Sequence, residues 1–172
     1  MPSAPPALQA RAPSFSAPEF RTALGMFATG VTIVTARTPE GALVGLTANS
    51  FNSVSLAPPL VLWSLSHASS SMAAFLQGTH YAIHVLAAEQ KDLAMQFASR
   101  GADRWAGVEF SEGTSGAPLI RGAAATFECF SRSRHVEGDH TIFVGEVEAC
   151  HHRADARPLL FHGGRFFTEL PL

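Results

Sequence analysis

Two short clusters carry residue types that could do chemistry. Thr47, Ala48, Asn49, Ser50 and Phe51 set hydroxyls and an amide beside small and aromatic neighbours, and Ser69, Ser70 and Ser71 follow a little further on. A wall of hydroxyls and an amide, followed by hydroxyls at a helix start, suits a flat polar ring and its phosphate. If Ser69 caps a helix, the N–H groups of Ser70 and Ser71 and the positive end of the helix dipole favour an anion. Each cluster also has a plain explanation. Serine is a common helix cap, and a polar strand edge facing water needs no ligand. On residue chemistry alone both readings stand open.

Other chemistries find little support. No Gly-x-Gly-x-x-Gly follows a strand and opens a helix, no Gly-x-x-x-x-Gly-Lys loop occurs, and no Gly-x-Ser-x-Gly elbow occurs. Eight histidines invite a metal reading. His151 and His152 are adjacent and would point to opposite faces of a strand, while His80 and His84 share a face but stand far apart for one ion. No Cys-x-x-Cys or His-Glu-x-x-His accompanies them, so no metal is expected.

The elements that must position the clusters can be read in order. Ser16 to Glu19 form a capping box ahead of Phe20, Ala23, Leu24 and Phe27 at helical spacing, with Gly30 ending the helix. Residues 31–35 are β-branched throughout and predict a strand. Thr38, Pro39, Glu40 and Gly41 make a turn, and residues 43–50 return as its partner. Residues 53–56 and 60–66 are extended around Pro58 and Pro59. A helix is expected over 69–77, a strand over 80–86 and a helix over 88–99. Residues 101–116 read as loop. Strands over 123–131 and 141–151 are joined across Glu137, Gly138 and Asp139, and a last hairpin, 158–161 with 165–170, turns at Gly163 and Gly164. The pattern is mainly β with helices (α+β), without strict βαβ alternation. It predicts a closed or half-closed antiparallel barrel with helices outside.

Composition bounds the rest. A chain of 172 residues predicts one domain over 16–172, preceded by a disordered Pro/Ala-rich tail over 1–15. One lysine, Lys91, and scattered arginines form no basic stripe, which argues against nucleic acid. No apolar run approaches the ~20 residues of a membrane span. Cys129 and Cys150 are too few for a disulfide scaffold and read as buried free thiols of a cytoplasmic protein.

The ordered set of motifs resembles the flavin reductase-like family, which includes the small reductase components of two-component flavin monooxygenases. The matching residues are Phe20, Arg21, Gly25, Phe27 and 29–35; then 45–47, 50–56 and 58–61; then Val85, Leu86, Gln90, Leu93, Phe97 and Ala98; then Gly138, Asp139, His140, 145–147, 158–161 and Gly164. The resemblance implies an FMN-binding split β-barrel, a homodimer with flavin near the subunit interface, and reduction of FMN or FAD by NADH or NADPH for a partner monooxygenase. A flavin edge offers acceptors and an N–H donor, which a β segment with Asn49 and Ser50 beside it can answer.

By the same resemblance, Thr47 to Phe51 lie along the ring, with Ser64 and His67 in the same flavin-binding set. Thr32 and Ser69 to Ser71 approach the ribityl and phosphate end. His140 is the catalytic histidine in the sense of positioning the nicotinamide and not of an obligatory acid, and Phe161, His162, Gly163 and Gly164, with Phe166, form its rim; the plainer reading of Phe161 and Phe166 themselves is the core of a hairpin. Many relatives carry a lysine near the position of His67 and an asparagine at that of His84. A neutral His67 weakens pairing with phosphate and a protonated one restores it, whereas His84 reads as a satisfied strand histidine. The rival from another class is a flavin-binding electron carrier without NAD(P)H:flavin reductase activity, and a third reading is a flavin-free structural domain.

Overall fold

In the computed structural model, residues 10–101 and 103–170 are described; most of the expected tail, 1–9, lies outside them, and 10–15 are exposed without helix or strand. Ser16 opens the first helix, α1 (Ala17–Leu24), with a complete capping box: its backbone N–H donates to Glu19 Oε2 at 2.8 Å, while the Glu19 N–H reaches back to Ser16 Oγ. The Ser16 N–H, together with the Ser16 hydroxyl donating to the same Oε2 at 2.7 Å, holds the Glu19 carboxyl below its ordinary range. The helix stops at Gly25, not Gly30. Gly30 instead pairs in β1 (Thr29–Gly30), because the Gly25 N–H closes the last turn onto the Arg21 and Ala23 carbonyls.

The next two strands, β2 (Thr32–Arg37) and β3 (Leu43–Ala48), form the expected hairpin about Gly41, whose φ of 88° a side chain would strain. Two more, β4 (Asn52–Leu56) and β5 (Pro59–Ser66), turn at the double proline. A short helix, α2 (Met72–Gln77), leads to β6 (His80–Val85). A 3₁₀ turn over Ala88–Gln90 then feeds α3 (Lys91–Ala98). The expected loop contains a strand, β7 (Phe110–Glu112), paired with β8 (Pro118–Ile120). The long strands β9 (Ala125–Glu137) and β10 (His140–His152) meet at Gly138 and Asp139, with β9 running six residues further than its apolar pattern indicated. The last hairpin is β11 (Leu159–His162) and β12 (Arg165–Thr168).

Seven strands make one antiparallel sheet in the order β3-β2-β6-β9-β10-β5-β4. The architecture is therefore mainly β with few helices. The ladder ends at β3 on one side and β4 on the other, so backbone pairing does not close it into a barrel. Just before β4, Ser50 continues the β4–β5 pairing through its side chain: Ser50 Oγ donates to the Ser64 carbonyl at 3.1 Å and accepts the Ser64 N–H at 2.9 Å.

The strand β2 is buried from Thr32 to Ala36 because apolar layers cover both of its faces. One layer is aromatic: Trp63, Phe75, Tyr81 and Phe143, with Trp63 stacked on Phe143 at 4.8 Å. The other joins Val31, Ile33, Leu86, Ala94, Phe97, Ile120 and Leu159, so α3 and the last hairpin share it. Cys129 is buried and burial pushes its thiol up to about 12. Cys150 is exposed, against expectation, because it falls in the outer half of β10.

Candidate functional site

The site is built along β3, where α3 lies against the strand. Gly45 permits this approach: a Cβ there would sit 2.5 Å from Phe97 Cε1. Thr47 ties the two elements together, its hydroxyl donating to the Ala94 carbonyl at 2.6 Å. Arg104 ties the segment after α3 to β3 as well. Its Nη1 donates to the Gly45 carbonyl at 3.0 Å, and its Nε and Nη2 both donate to the Ser99 carbonyl.

Two clefts open beside this seam. The first, about 420 Å³, is lined by Thr47, Ala48 and Asn49 on one side, Met95 and Ala98 of α3 on another, and Phe161 and Phe166 of the last hairpin. Those two rings meet edge to face at 5.4 Å. The second, about 490 Å³, is lined by Thr47, Ser66, Ser69, Ser70, Arg100 and Arg104. Thr47 and Ala98 belong to both clefts, so the two are one groove. Its first part is mostly apolar with a polar edge. Its second part carries hydroxyls and two guanidinium groups.

Several of the named residues serve the walls instead of facing the groove. Thr32 is buried and donates to the Ala48 carbonyl at 2.7 Å. Ser50 is joined to the Ser64 backbone at the start of the β4–β5 pairing. Phe51 stacks on Phe127 at 5.5 Å and packs against the aromatic layer. His67 anchors a turn, its N–H donating to the Asp139 carbonyl at 2.9 Å and its Nε2 sharing a hydrogen bond with Thr141 Oγ1 at 3.0 Å.

The serine cluster differs from expectation in one respect. Ser69 does not cap a helix over 69–77. The helix α2 begins at Met72 and spans six residues, Ser71 holds the N-cap position without a side-chain cap, and the Ser71 N–H is already bonded to Ser69 Oγ at 3.2 Å. A tight turn, in which the Met72 N–H donates to the Ser69 carbonyl, occupies the residues assigned to the first helical turn. The polar character of the second cleft therefore comes from the Ser69 and Ser70 side chains and the two arginines.

His140 stands across from Ser66 in the β10–β5 ladder, one strand position from the second cleft, and lines neither cleft. Its Nδ1 is 2.7 Å from Asp139 Oδ1. This hydrogen bond, together with the imidazole's charge when protonated, holds the Asp139 carboxyl below its ordinary range. The pairing places the ring proton on Nδ1 and leaves Nε2 as the outward atom. His162 lies against Phe167, and Gly163 and Gly164, with φ of 55° and 80°, form the turn facing α1. The Gly163 N–H donates to the Gly25 carbonyl at 3.0 Å. Thus Phe161 and Phe166 join Thr47 to Asn49 in one cavity, while His140 and residues 162–164 lie outside it.

Arg100, Arg104 and Met95 were not among the residues named from sequence. The available signal was two arginines, Arg100 and Arg104, just past the expected end of the helix over 88–99 and close in the chain to the motif residues Phe97 and Ala98. His84 is fully buried, as a satisfied strand histidine: Nδ1 bonds the Ile33 carbonyl at 3.0 Å and Nε2 accepts the Ile120 N–H at 3.1 Å. Burial pushes its pKa down to about 4. Among the described residues no group of three metal-ligating side chains comes together. No helix among them is long and apolar enough to cross a membrane.

The flavin reductase like domain matches residues 24–169, and the chain belongs to that family. It is 52% identical over 147 residues to FMN reductase (NADH) SmoA of Agrobacterium fabrum, covering 86% of this chain and 83% of the relative. It is 40% identical over 147 residues to HsaB, the reductase subunit of a flavin-dependent monooxygenase of Rhodococcus jostii, covering 86% and 75%. Among solved structures, the Streptomyces globisporus NADH:FAD oxidoreductase SgcE6, in complex with NAD and FAD fragments, superimposes with a TM-score of 0.84 at 40% identity, covering 89% of this chain and 92% of that one.

Proposed function

We propose that this chain is an NAD(P)H:flavin oxidoreductase that reduces FMN or FAD and supplies reduced flavin to a partner monooxygenase. The observation that carries the proposal is the groove along β3, where a mostly apolar slot edged by Thr47 to Asn49 runs directly into a slot of hydroxyls and guanidinium groups. A flavin has the same order of parts, a flat ring with a hydrogen-bonding edge followed by a polyol and a phosphate. The residues present therefore fit the group.

Hydride chemistry is supplied by the nicotinamide and the flavin themselves. The chain's part is to bind, orient and screen. Thr47, Ala48 and Asn49 meet the ring edge, and Ser69, Ser70 and Arg100 meet the phosphate, where a guanidinium bonds an anion with charge assistance. Phe161 and Phe166 cover the ring and keep water from it. Thr32, Ser50, Ser64 and Ser71 hold the walls, and His67 supports the turn beside them. His140 orients the nicotinamide through Nε2 while Asp139 holds its Nδ1–H, and Gly163 and Gly164 let the adjoining rim turn tightly. No dinucleotide-binding βαβ unit is needed, which suits a nicotinamide bound loosely over the flavin and a product that leaves.

The finer architecture belongs to the same proposal. The seven-stranded sheet, open between its edge strands β3 and β4, reads as a split barrel. A homodimer is supported by apolar side chains left exposed on α1 and β4, among them Leu24 at 58% and Leu56 at 96%. A cytoplasmic setting is in keeping with two free cysteines.

The test is anaerobic mixing of the protein with NADH or NADPH and an excess of FMN or FAD. Catalytic loss of NAD(P)H matched by bleaching of flavin is expected. No turnover with either flavin and either nicotinamide overturns the proposal, and flavin binding without turnover favours the electron carrier.

A further inference from the structure

Met26, Met72 and Met95 differ in where their sulfur lies. Met72 is buried against the aromatic layer. Met26 is exposed just after α1 and lines a cleft against the Gly163–Gly164 turn. Met95 is 49% exposed on α3 and lines the first cleft, the apolar slot that faces the flavin ring. Ala98, one turn further on the same helix, lines that slot and is exposed as well, so a small solute can reach the thioether from the mouth.

A thioether suits such a slot because it is soft and has no strong hydrogen-bonding group. Oxidised to the sulfoxide, the same side chain becomes polar. Its new oxygen needs a donor, and two hydroxyls lining the cleft have already given their protons away. Thr47 donates to the Ala94 carbonyl at 2.6 Å, and Ser99 donates to the Gln96 carbonyl at 2.6 Å. The Asn49 amide stands at the same cleft, and a sulfoxide that takes it removes that donor from the ring edge.

We propose that Met95 is an oxidation site that loosens flavin binding when reduced flavin is made faster than the partner consumes it. The inference rests on the reductase reading above and adds a control to that same site. Free reduced flavin left in air passes two electrons and two protons to O2, giving oxidised flavin and hydrogen peroxide. A lone pair of the Met95 sulfur attacks one peroxide oxygen, the O–O bond breaks, and the other oxygen leaves as water. Sulfur loses two electrons and the peroxide gains them. Methionine sulfoxide reductases reverse the change. The other peroxide-sensitive groups stand apart from the groove. Cys129 is buried, with its thiol pushed up to about 12, so little thiolate forms. Cys150 and Met26 are exposed but line neither part of the groove.

The test treats the flavin-free protein with millimolar hydrogen peroxide, removes the excess with catalase, and maps added oxygen by peptide mass spectrometry alongside titrations of FMN and FAD. Met95 should gain one oxygen well before Met72 does, and the flavin Kd should rise at least fivefold. Methionine sulfoxide reductase with a thiol should return the Kd to within twofold of its starting value. Saturating FMN during the treatment should slow oxidation of Met95 and not of Met26. Met95→Leu, a volume-conserving change, should keep its Kd within twofold of its own untreated sample, whereas Met26→Leu should lose affinity as the natural chain does. Without peroxide, Met95→Gln should bind flavin at least fivefold more weakly than Met95→Leu. During turnover in air with NADH and sparing flavin, activity should decay, and catalase should prevent the decay.

The proposal is overturned if affinity falls while Met95 stays unoxidised, if Met95 is oxidised without a change in Kd, or if Met95→Leu loses as much affinity as the natural chain. Decay in turnover that catalase does not slow overturns it too. None of these results touches the reductase reading, which falls if the untreated protein neither binds nor reduces either flavin.

Discussion

Asn49 and Ser50 are neighbours in the chain, and the fold uses them in opposite ways. Ser50 turns inward and exchanges two hydrogen bonds with the Ser64 backbone, whereas Asn49 is exposed at the mouth of the first cleft. The same division runs through the whole region around β3. Thr32, Thr35, Thr47 and His84 are committed to backbone partners at 2.6–3.1 Å. Ser70, Arg100 and the Nε2 side of His140 are open to solvent or to the groove. Hydroxyls and amides of one kind thus hold the sheet in one place and face a ligand in another. What separates them is whether a backbone group with an unmet hydrogen bond lies within reach.

The division can be broken most forcefully at His84. Its ring is held neutral in the interior, so below the ordinary histidine pKa the unfolded chain binds a proton that the folded chain refuses. Stability therefore falls as pH drops from about 6.5 toward about 4, by on the order of 3 kcal/mol for this group, and is fully regained above that window. Urea unfolding across the window should show a steeper loss for the natural chain than for His84→Gln. Parallel curves would contradict the assignment.

A second break lies on the open side. His140→Ala should lower kcat/KM for NADH by about tenfold to a hundredfold, the scale of a misplaced reactant. The flavin Kd should stay within twofold, and the melting temperature should not move, since the side chain is 45% exposed. A loss in flavin affinity of the same size would mean that His140 serves the first substrate instead.

The smallest and sharpest test uses the neighbouring pair. Ser50→Ala leaves the half-buried Ser64 N–H without its partner and should cost about 1–2 kcal/mol of stability. Asn49→Ala should leave stability within about 0.5 kcal/mol and weaken flavin binding roughly fivefold, the worth of one hydrogen bond. If the two variants exchange these effects, the line between wall and site is drawn in the wrong place.

Much of the scaffold was legible because it is local. The capping box at Ser16 and Glu19, the β-branched run of β2, the turn at Gly41 and the Gly138–Asp139 connection each depend on residues within a few positions of one another. Elsewhere the local reading slipped. Ser69 looked like a helix cap, but its hydroxyl takes the Ser71 N–H and the helix starts three residues later. Gly30 looked like a helix stop but pairs with Leu160 of the last hairpin. Cys150 looked buried from its strand-like surroundings, yet it lies on the part of β10 that no layer covers.

The groove was legible only in pieces. Residues 47–49 and 69–71 were named from their own chemistry, Phe161 and Phe166 from the expected nicotinamide rim, and the two arginines not at all. By itself, then, the sequence settled where chain direction and local hydrogen bonds are decided, and which short runs are polar enough to matter. The tertiary structure decided which of those polar groups are already satisfied. Thr35 finds the Pro118 carbonyl 83 positions away and Thr47 finds that of Ala94 at 47. Hydrogen bonds saturate, so a donor or lone pair that has met a distant backbone partner is no longer available to a ligand, and only the folded chain brings those partners within reach.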